Sequence, residues 1–240
     1  IWGNQPGILF AVCYPSRLYS YLGVDLPVQR WAYCAIDGSN TNGVIGGPAG
    51  EALRMFDRVL AYGRYGAEVI KATTGQECAY LPHGILSDVW QPCRPEVEAW
   101  ADERLGPHAI GKTIIGSVMT NQPRKDFGLL FATIMHLRKA GVNAYLWLHT
   151  DELIKAWSVQ QLVEDFGLAR LVTVTGLQQP LSDYQMAALY QQCSVTILPS
   201  LGEGFGYPIV ESLACGRPCV HTQWAGGEAL VPRVEWKVPV

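Results

Sequence analysis

Charge is scarce in this chain. Of 240 residues only 16% are Asp, Glu, Lys or Arg, against about a quarter in an average globular protein. The 18 basic and 21 acidic residues leave a net charge of −3. With no basic excess there is no electrostatic footprint for nucleic acid and no polybasic patch for a membrane surface. Long apolar runs are missing too. Stretches such as Gly7-Ile-Leu-Phe-Ala-Val-Cys13 fall far short of the roughly 20 residues a membrane span needs, and no transmembrane segment or leader is visible. The chain opens on Ile1 rather than Met, so a removed or longer N-terminus stays open. The seven cysteines (Cys13, Cys34, Cys78, Cys93, Cys193, Cys215, Cys219) are odd in number and contain no C-x-x-C pair. Several sit in apolar, strand-like runs, which predicts reduced core thiols in a reducing, cytoplasmic compartment. No Cys/His cluster has ligand spacing, so a zinc site is not expected. What the chain does have is 49% hydrophobic and 10% aromatic residues, enough for a sizeable packed core and incompatible with a disordered tail.

From Lys112 onward the pattern is regular. β-branched and apolar runs at Thr113–Met119, Ala144–His149, Leu171–Thr175, Val195–Leu198 and Pro218–His221 read as strands. Helical segments lie between them. Asp126 caps one whose apolar stripe is Phe127, Leu130, Ile134 and Leu137, with Gly141 as its stop. Ser182-x-x-Gln185 forms a capping box before Met186, Leu189, Tyr190 and Cys193. Pro208 starts a short helix that Gly216 and Pro218 end. This alternation predicts a parallel sheet covered on both faces. Residues 1–83 carry a vaguer version: strand-like runs at Ile8–Cys13, Trp31–Ile36 and Val59–Tyr62, a turn-rich stretch at Asp37–Gly50, and a helix at Arg64–Ala72. Between Pro82 and Gly111, four prolines and the acidic Glu96, Glu98, Asp102 and Glu103 interrupt the periodicity. The expected organisation is therefore a partial first domain over 1–85, a linker with a small helix over 86–111, and a second domain over 112–240.

The segment richest in chemistry runs from Leu198 to Pro218. A buried strand ends at Pro199, a loop with Gly202, Gly204 and Gly206 follows, and a helix begins at Pro208. The glycines permit positive φ and close approach to a ligand. Unpaired N–H groups of the helix's first turn favour an anion, and ligands of open α/β sheets collect at such strand ends. Glu203 and Glu211 flank this loop. Each carboxylate can accept from two vicinal hydroxyls, which suits a ligand with sugars on both sides of a phosphate; the plainer reading is an acidic turn followed by a surface glutamate.

Glu203-Gly-Phe-Gly-Tyr-Pro-Ile-Val-Glu211, continuing into Ser-Leu-Ala-Cys-Gly-Arg-Pro-Cys-Val, resembles the E-x7-E signature of retaining GT-B glycosyltransferases, the large group 1, GT4-like class. Gly176 followed by Leu189-Tyr190 resembles the strand and helix before that signature, Ile115-Gly-Ser-Val-Met-Thr-Asn-Gln-Pro-Arg-Lys125 resembles the donor-phosphate loop, and Pro82-His83-Gly84 resembles the family's PHG at the domain junction. The resemblance is specific over residues 112–230 and loose over 1–83. It implies an α/β protein of GT-B type, with two Rossmann-like, doubly wound parallel-sheet domains. It also implies a metal-independent hexosyltransferase that moves a sugar from a UDP-, GDP- or ADP-sugar to the hydroxyl of a glycan, lipid or small-molecule acceptor, with retention of configuration.

Carried onto this chain, the resemblance implies that Glu211 binds the ribose hydroxyls, Glu203 faces the transferred sugar, and amides around Gly204, Phe205, Gly206 and Tyr207 hold sugar or phosphate. Lys125 neutralises the diphosphate, a role that fits the charge a leaving diphosphate gains in the transition state. The family's usual phosphate-loop Arg is missing: Ser117, Thr120 and Asn121 fill its candidate positions, and Asn121 is counted there among the donor-binding residues. Arg124 either serves the diphosphate or is a solvated neighbour of Lys125. Asp37 and His83 are the acceptor-side candidates, with a simple turn and a hinge hydrogen bond as their structural explanations. His149 ends a strand on the ligand side, where either a nucleotide contact or a satisfied histidine is compatible. Trp31, Trp147 and Trp157 read as packing, and His136 as exposed. Two complete domains of this kind need roughly 300–400 residues, so both domains are expected to be incomplete and the chain to be part of a longer one or a trimmed relative. Two other readings remain: a GT-B sugar phosphorylase, in which Glu211 would have no ribose to bind, and a binding or assembly subunit that keeps the fold without turnover.

Overall fold

The computed structural model describes residues 6–23, 27–92, 95–177 and 179–239. Cys93 and the Glu96 side chain lie outside the described residues. In chain order the elements are β1 (Gly7–Cys13), α1 (Tyr19–Leu22), β2 (Val28–Cys34), α2 (Gly47–Arg54), β3 (Arg58–Ala61), α3 (Arg64–Thr74), β4 (Ala79–Tyr80), α4 (Pro95–Leu105), β5 (Thr113–Val118), α5 (Phe127–Lys139), β6 (Ala144–His149), α6 (Val159–Asp165), β7 (Val172–Thr175), α7 (Asp183–Gln192), β8 (Val195–Leu198), α8 (Tyr207–Ala214), β9 (Cys219–Thr222), α9 (Ala225–Glu228) and β10 (Lys237–Val238). They gather into two compact units. Residues up to Gly84, with Gly202–Gly206 and Trp224–Ala229, form the first; Ile85–Leu201, Tyr207–Gln223 and the residues from Leu230 onward form the second.

In the first unit four parallel strands lie in sequence order, β1-β2-β3-β4. Right-handed crossovers between strands laid down in order carry every connecting helix to the same side. The burial pattern follows. Leu9, Ala11 and Cys13 turn towards a core with Ala32, Cys34, Ile36, Leu53 and Ile70. The alternate residues Ile8, Phe10 and Val12 are 51–56% exposed. The expectation of a sheet covered on both faces thus meets a one-sided sheet here, because the strand order never reverses. The expected helix at Arg64–Ala72 forms as α3 and closes on Gly75, whose φ of 76° and N–H bond to the Lys71 carbonyl end it in the left-handed conformation. α2 begins inside the stretch read as turns and runs four residues past it. Pro48 in its first turn and the buried Ala52 and Leu53 make it a helix once a core is present.

The second unit's strand order is β10-β9-β8-β5-β6-β7, all parallel. The chain starts mid-sheet, runs outward through β6 and β7, returns beside β5 as β8, and continues the other way. That reversal sends crossover helices to opposite faces, and β6 records it residue by residue. Ala144, Leu146 and Leu148 pack with Phe127, Leu130, Phe131 and Ile134 of α5. Tyr145 and Trp147 pack with Ala187, Leu189 and Tyr190 of α7, joined by Ala101 and Leu105 of α4. All five strands read from the sequence form, and β10 adds a sixth through Lys237 opposite His221. Asp126 caps α5 by accepting from the Leu129 N–H at 2.9 Å. Ser182 and Gln185 form the capping box of α7. The six described cysteines are free thiols, and burial pushes Cys34 and Cys215 up to about 12. No described helix is long and apolar enough to cross a membrane.

Candidate functional site

The order reversal in the second sheet parts the chain between β5 and β8, and the crevice beyond their carboxyl ends is where such sheets bind ligands. Beside that point, past the carboxyl ends of β5, β6 and β7, Met119, Thr120, Lys125, His149, Gly176 and Pro208 line a cavity of about 390 Å³, within the range of small-molecule pockets. Lys125 is only 5% exposed. Its turn is tied to the loop after β8. The Leu201 N–H donates to the Arg124 carbonyl at 2.7 Å, and the half-buried Arg124 side chain flanks Lys125 in sequence. Asn121, expected among the donor-binding residues, has its amide engaged within the loop. Its Nδ2 donates to the carbonyls of Glu152 (3.0 Å) and Trp157 (2.8 Å), and its Oδ1 accepts from the Trp157 N–H (2.9 Å). Its backbone N–H donates to Asp151 at 2.6 Å. Burial raises the Asp151 carboxyl, but this N–H bond and Lys155 outweigh it and hold it below its ordinary value. What Asn121 supplies is the shape of the turn that carries Lys125.

His149 closes β6 with Nδ1 at 2.9 Å from the Thr175 hydroxyl, which also accepts from Trp147 Nε1 at 3.0 Å. Burial lowers its pKa, which favours the neutral ring. Just past β8, the Ser200 hydroxyl is fully buried and has no hydrogen-bond partner. The sequence reading did not single it out; its place two residues past the strand end was the signal. Glu211 lies one turn into α8. The Tyr190 hydroxyl of α7 donates to its Oε2 at 2.9 Å. Burial raises Glu211, the Tyr190 bond lowers it and Asp183 raises it, for a pKa of about 7. Tyr207, at the start of α8, is exposed, and burial followed by the Glu211 charge raises its hydroxyl.

The remaining candidates gather in the first unit. Gly202–Gly206 lies over the carboxyl end of β2. A Cβ on Gly202 would stand 2.0 Å from the Asp37 carbonyl oxygen, and one on Gly204 would stand 2.8 Å from the Ala35 Cβ. The sequence reading gave these glycines to a ligand; the geometry shows the chain itself filling that space. Only Gly206 of the three has positive φ, at 96°. Glu203 is 5% exposed, and its carbonyl accepts from the Gly226 N–H at 3.0 Å. Phe205 meets His83 edge-on at 5.0 Å, and Tyr62 and Tyr33 approach the same imidazole at 4.2 and 5.3 Å. Burial lowers the His83 pKa. Asp37 and His83 thus share a unit with Glu203, Gly204, Phe205 and Gly206, while Asn121, Arg124, Lys125, Tyr207 and Glu211 belong to the other. A second hollow of about 300 Å³ opens beyond β1, β2 and β3, lined by Cys13, Tyr14, Arg17, Ala35 and Tyr62; Tyr14, Arg17 and Tyr62 were not read from the sequence. Trp147 is fully buried, Trp31 and Trp157 partly, and His136 is exposed, as expected. Among the described residues no three of His, Cys, Asp and Glu are grouped as a metal centre would need.

Comparison with known proteins supplies a frame for this geometry. The family model of glycosyl transferases, group 1, matches residues 112–238. The MMP alpha-(1->4)-mannosyltransferase of Mycolicibacterium hassiacum is 40% identical over 154 residues, covering 63% of this chain and 33% of that one. The D-inositol 3-phosphate glycosyltransferase of Paenarthrobacter aurescens is 35% identical over 72 residues, 30% of this chain and 17% of that one. The chain therefore spans a third or less of these two relatives' length. Among solved structures, Anabaena HepE in complex with UDP-glucose superposes with a TM-score of 0.76 at 18% identity, over 93% of this chain and 62% of that one.

Proposed function

Because the chain belongs to the group 1 glycosyl transferases and has the two-sheet α/β architecture of the GT-B fold, we propose that it transfers a sugar from a nucleotide-diphosphate sugar to the hydroxyl of a glycan, lipid or small-molecule acceptor with retention of configuration. The observation that carries this reading is the nearly buried Lys125 in the switch-point cavity, which Pro208 also lines, one turn before Glu211. A cation withdrawn from water interacts strongly with an anion, and a departing diphosphate gains negative charge as the glycosidic bond breaks. Lys125 stabilises that charge, aided by Arg124 and by amides from Gly204 to Tyr207. Charge neutralisation by these groups assigns no step to a metal.

Glu211 accepts from the ribose hydroxyls, and Glu203 faces the transferred sugar. Asn121 acts through the turn it shapes. Asp37 and His83 serve the acceptor, with the neutral His83 imidazole able to accept or donate one hydrogen bond. In a retaining transfer the leaving phosphate and incoming hydroxyl share one face of the sugar, so the diphosphate itself takes the acceptor proton.

Calorimetric titration with UDP, GDP and ADP, followed by a donor-hydrolysis assay, tests the proposal. UDP comes first, since HepE was solved with UDP-glucose. Glu211→Ala is expected to weaken nucleotide binding about 10- to 100-fold, as loss of hydrogen bonds to a charged group does. Wild-type affinity in that variant overturns the donor assignment, and nucleotide binding without turnover in the complete protein replaces the enzyme with a binding subunit.

A further inference from the structure

Tyr190 is completely buried in α7. Its ring stands edge-on to Trp147 at 5.4 Å and to Trp90 at 5.8 Å, so its hydroxyl is held at a fixed point. From there it donates to Glu211 Oε2 across 21 residues of sequence. We propose that Tyr190 is the positioning residue of the nucleotide site, pinning one carboxylate oxygen of Glu211 so that the group meets a ribose diol already oriented. The inference rests on the assignment of Glu211 to the ribose. A carboxylate offers about four acceptor positions; Tyr190 takes one and leaves enough for two vicinal hydroxyls. An untethered glutamate loses rotamer freedom when it grips a ligand, and the tyrosine imposes that order beforehand.

The same bond gives the site a pH dependence of definite sign. Glu211 faces Tyr190 and Asp183 from α7, Tyr207 from its own helix and Cys215 just past that helix's end. Burial drives the Tyr207 and Cys215 titrations upward, Cys215 to about 12, while the cavity-lining His149 titrates below its ordinary value. Near neutrality the change of charge among these protein groups is therefore that of Glu211. Diol binding needs its carboxylate, so affinity falls as pH drops through its pKa. The Tyr190 bond pulls that pKa down, and its removal moves the loss of affinity to higher pH.

The test is Tyr190→Phe in the full chain, with UDP titrated between about pH 6 and about pH 9. Phenylalanine keeps the ring between its two tryptophans, and thermal melting checks the fold. At pH 7 the variant is expected to bind about tenfold more weakly, the scale of one charge-assisted hydrogen bond. Near pH 9 it recovers to within about twofold of wild type, since both carboxylates are then ionised. In a Glu211→Gln background, Tyr190→Phe has no further effect at any pH, and only the titration of UDP's own terminal phosphate shapes the profile. An equal loss at every pH makes Tyr190 a packing residue only, and unchanged affinity removes its role altogether. If Glu211→Gln binds UDP like wild type, the ribose assignment itself fails. If Glu211→Gln weakens binding while Tyr190→Phe does not, the tyrosine inference alone fails.

Discussion

The two sheets are built from the same unit, a strand followed by a helix and a parallel strand, yet they end up different. In the first, strands follow sequence order and one face is left with Ile8, Phe10 and Val12 in water. In the second, the order reverses between β5 and β8, both faces are packed, and β6 is buried along nearly its whole length. The reversal also opens the crevice that holds Lys125 and His149. Strand order, a property of no single residue, thus decides both how much of a sheet is buried and where it can bind.

The comparison can be broken by experiment, most forcefully at the doubly covered core. Trp147→Ala removes a fully buried indole from between α4 and α7 and is expected to cost about 3–5 kcal/mol, read as a lowered denaturation midpoint. A loss below about 1 kcal/mol would mean that face is not packed. Next in size, Lys125→Ala should lower sugar transfer about a hundred- to a thousandfold while the melting temperature stays near wild type; transfer at the normal rate would move the reactive cation elsewhere. A smaller effect separates two histidines, one per unit. Burial depresses both His149 and His83, so the unfolded chain binds more protons and stability rises with pH. Their contribution is present above the unfolded value of about 6.5 and is lost as pH falls through the folded value. Melting temperature followed from pH 7 down to pH 5 should fall less steeply in His149→Gln than in His83→Gln, because His149 is set deeper; the reverse order would contradict the burial argument. Least of all, Ile8→Ser on the open face should change stability by no more than about 0.5 kcal/mol, and a core-sized loss would show that something covers that face.

Much of this was legible in the chain. Asp126, Ser182 with Gln185, and Pro208 announced their helices because capping is a matter of three or four neighbouring residues. The five principal strands of the second sheet were readable as apolar runs between turn signals. α2 was not, since a Gly/Pro-rich start reads as a turn until Ala52 and Leu53 find a core to enter. Two-residue strands such as β4 and β10 are too short to carry a period at all. At the candidate site, the residue types around Lys125, Glu203 and Glu211 stood out, but the partners did not. Asn121 looked like a ligand contact and is occupied with the backbone of Glu152 and Trp157. Gly202 and Gly204 looked like space for a ligand and make room for Asp37 and Ala35.

By itself the sequence determined the parallel α/β class, the helix caps, the glycine-rich loop after β8 and the family. These depend on local chemistry and on spacing along one chain. Only the tertiary structure decided which sheet face stays open, that the loop of Glu203 lies with Asp37 and His83, and that Tyr190 holds Glu211. Each of those joins residues far apart in sequence, and their meeting follows from strand order and packing, which no local pattern encodes.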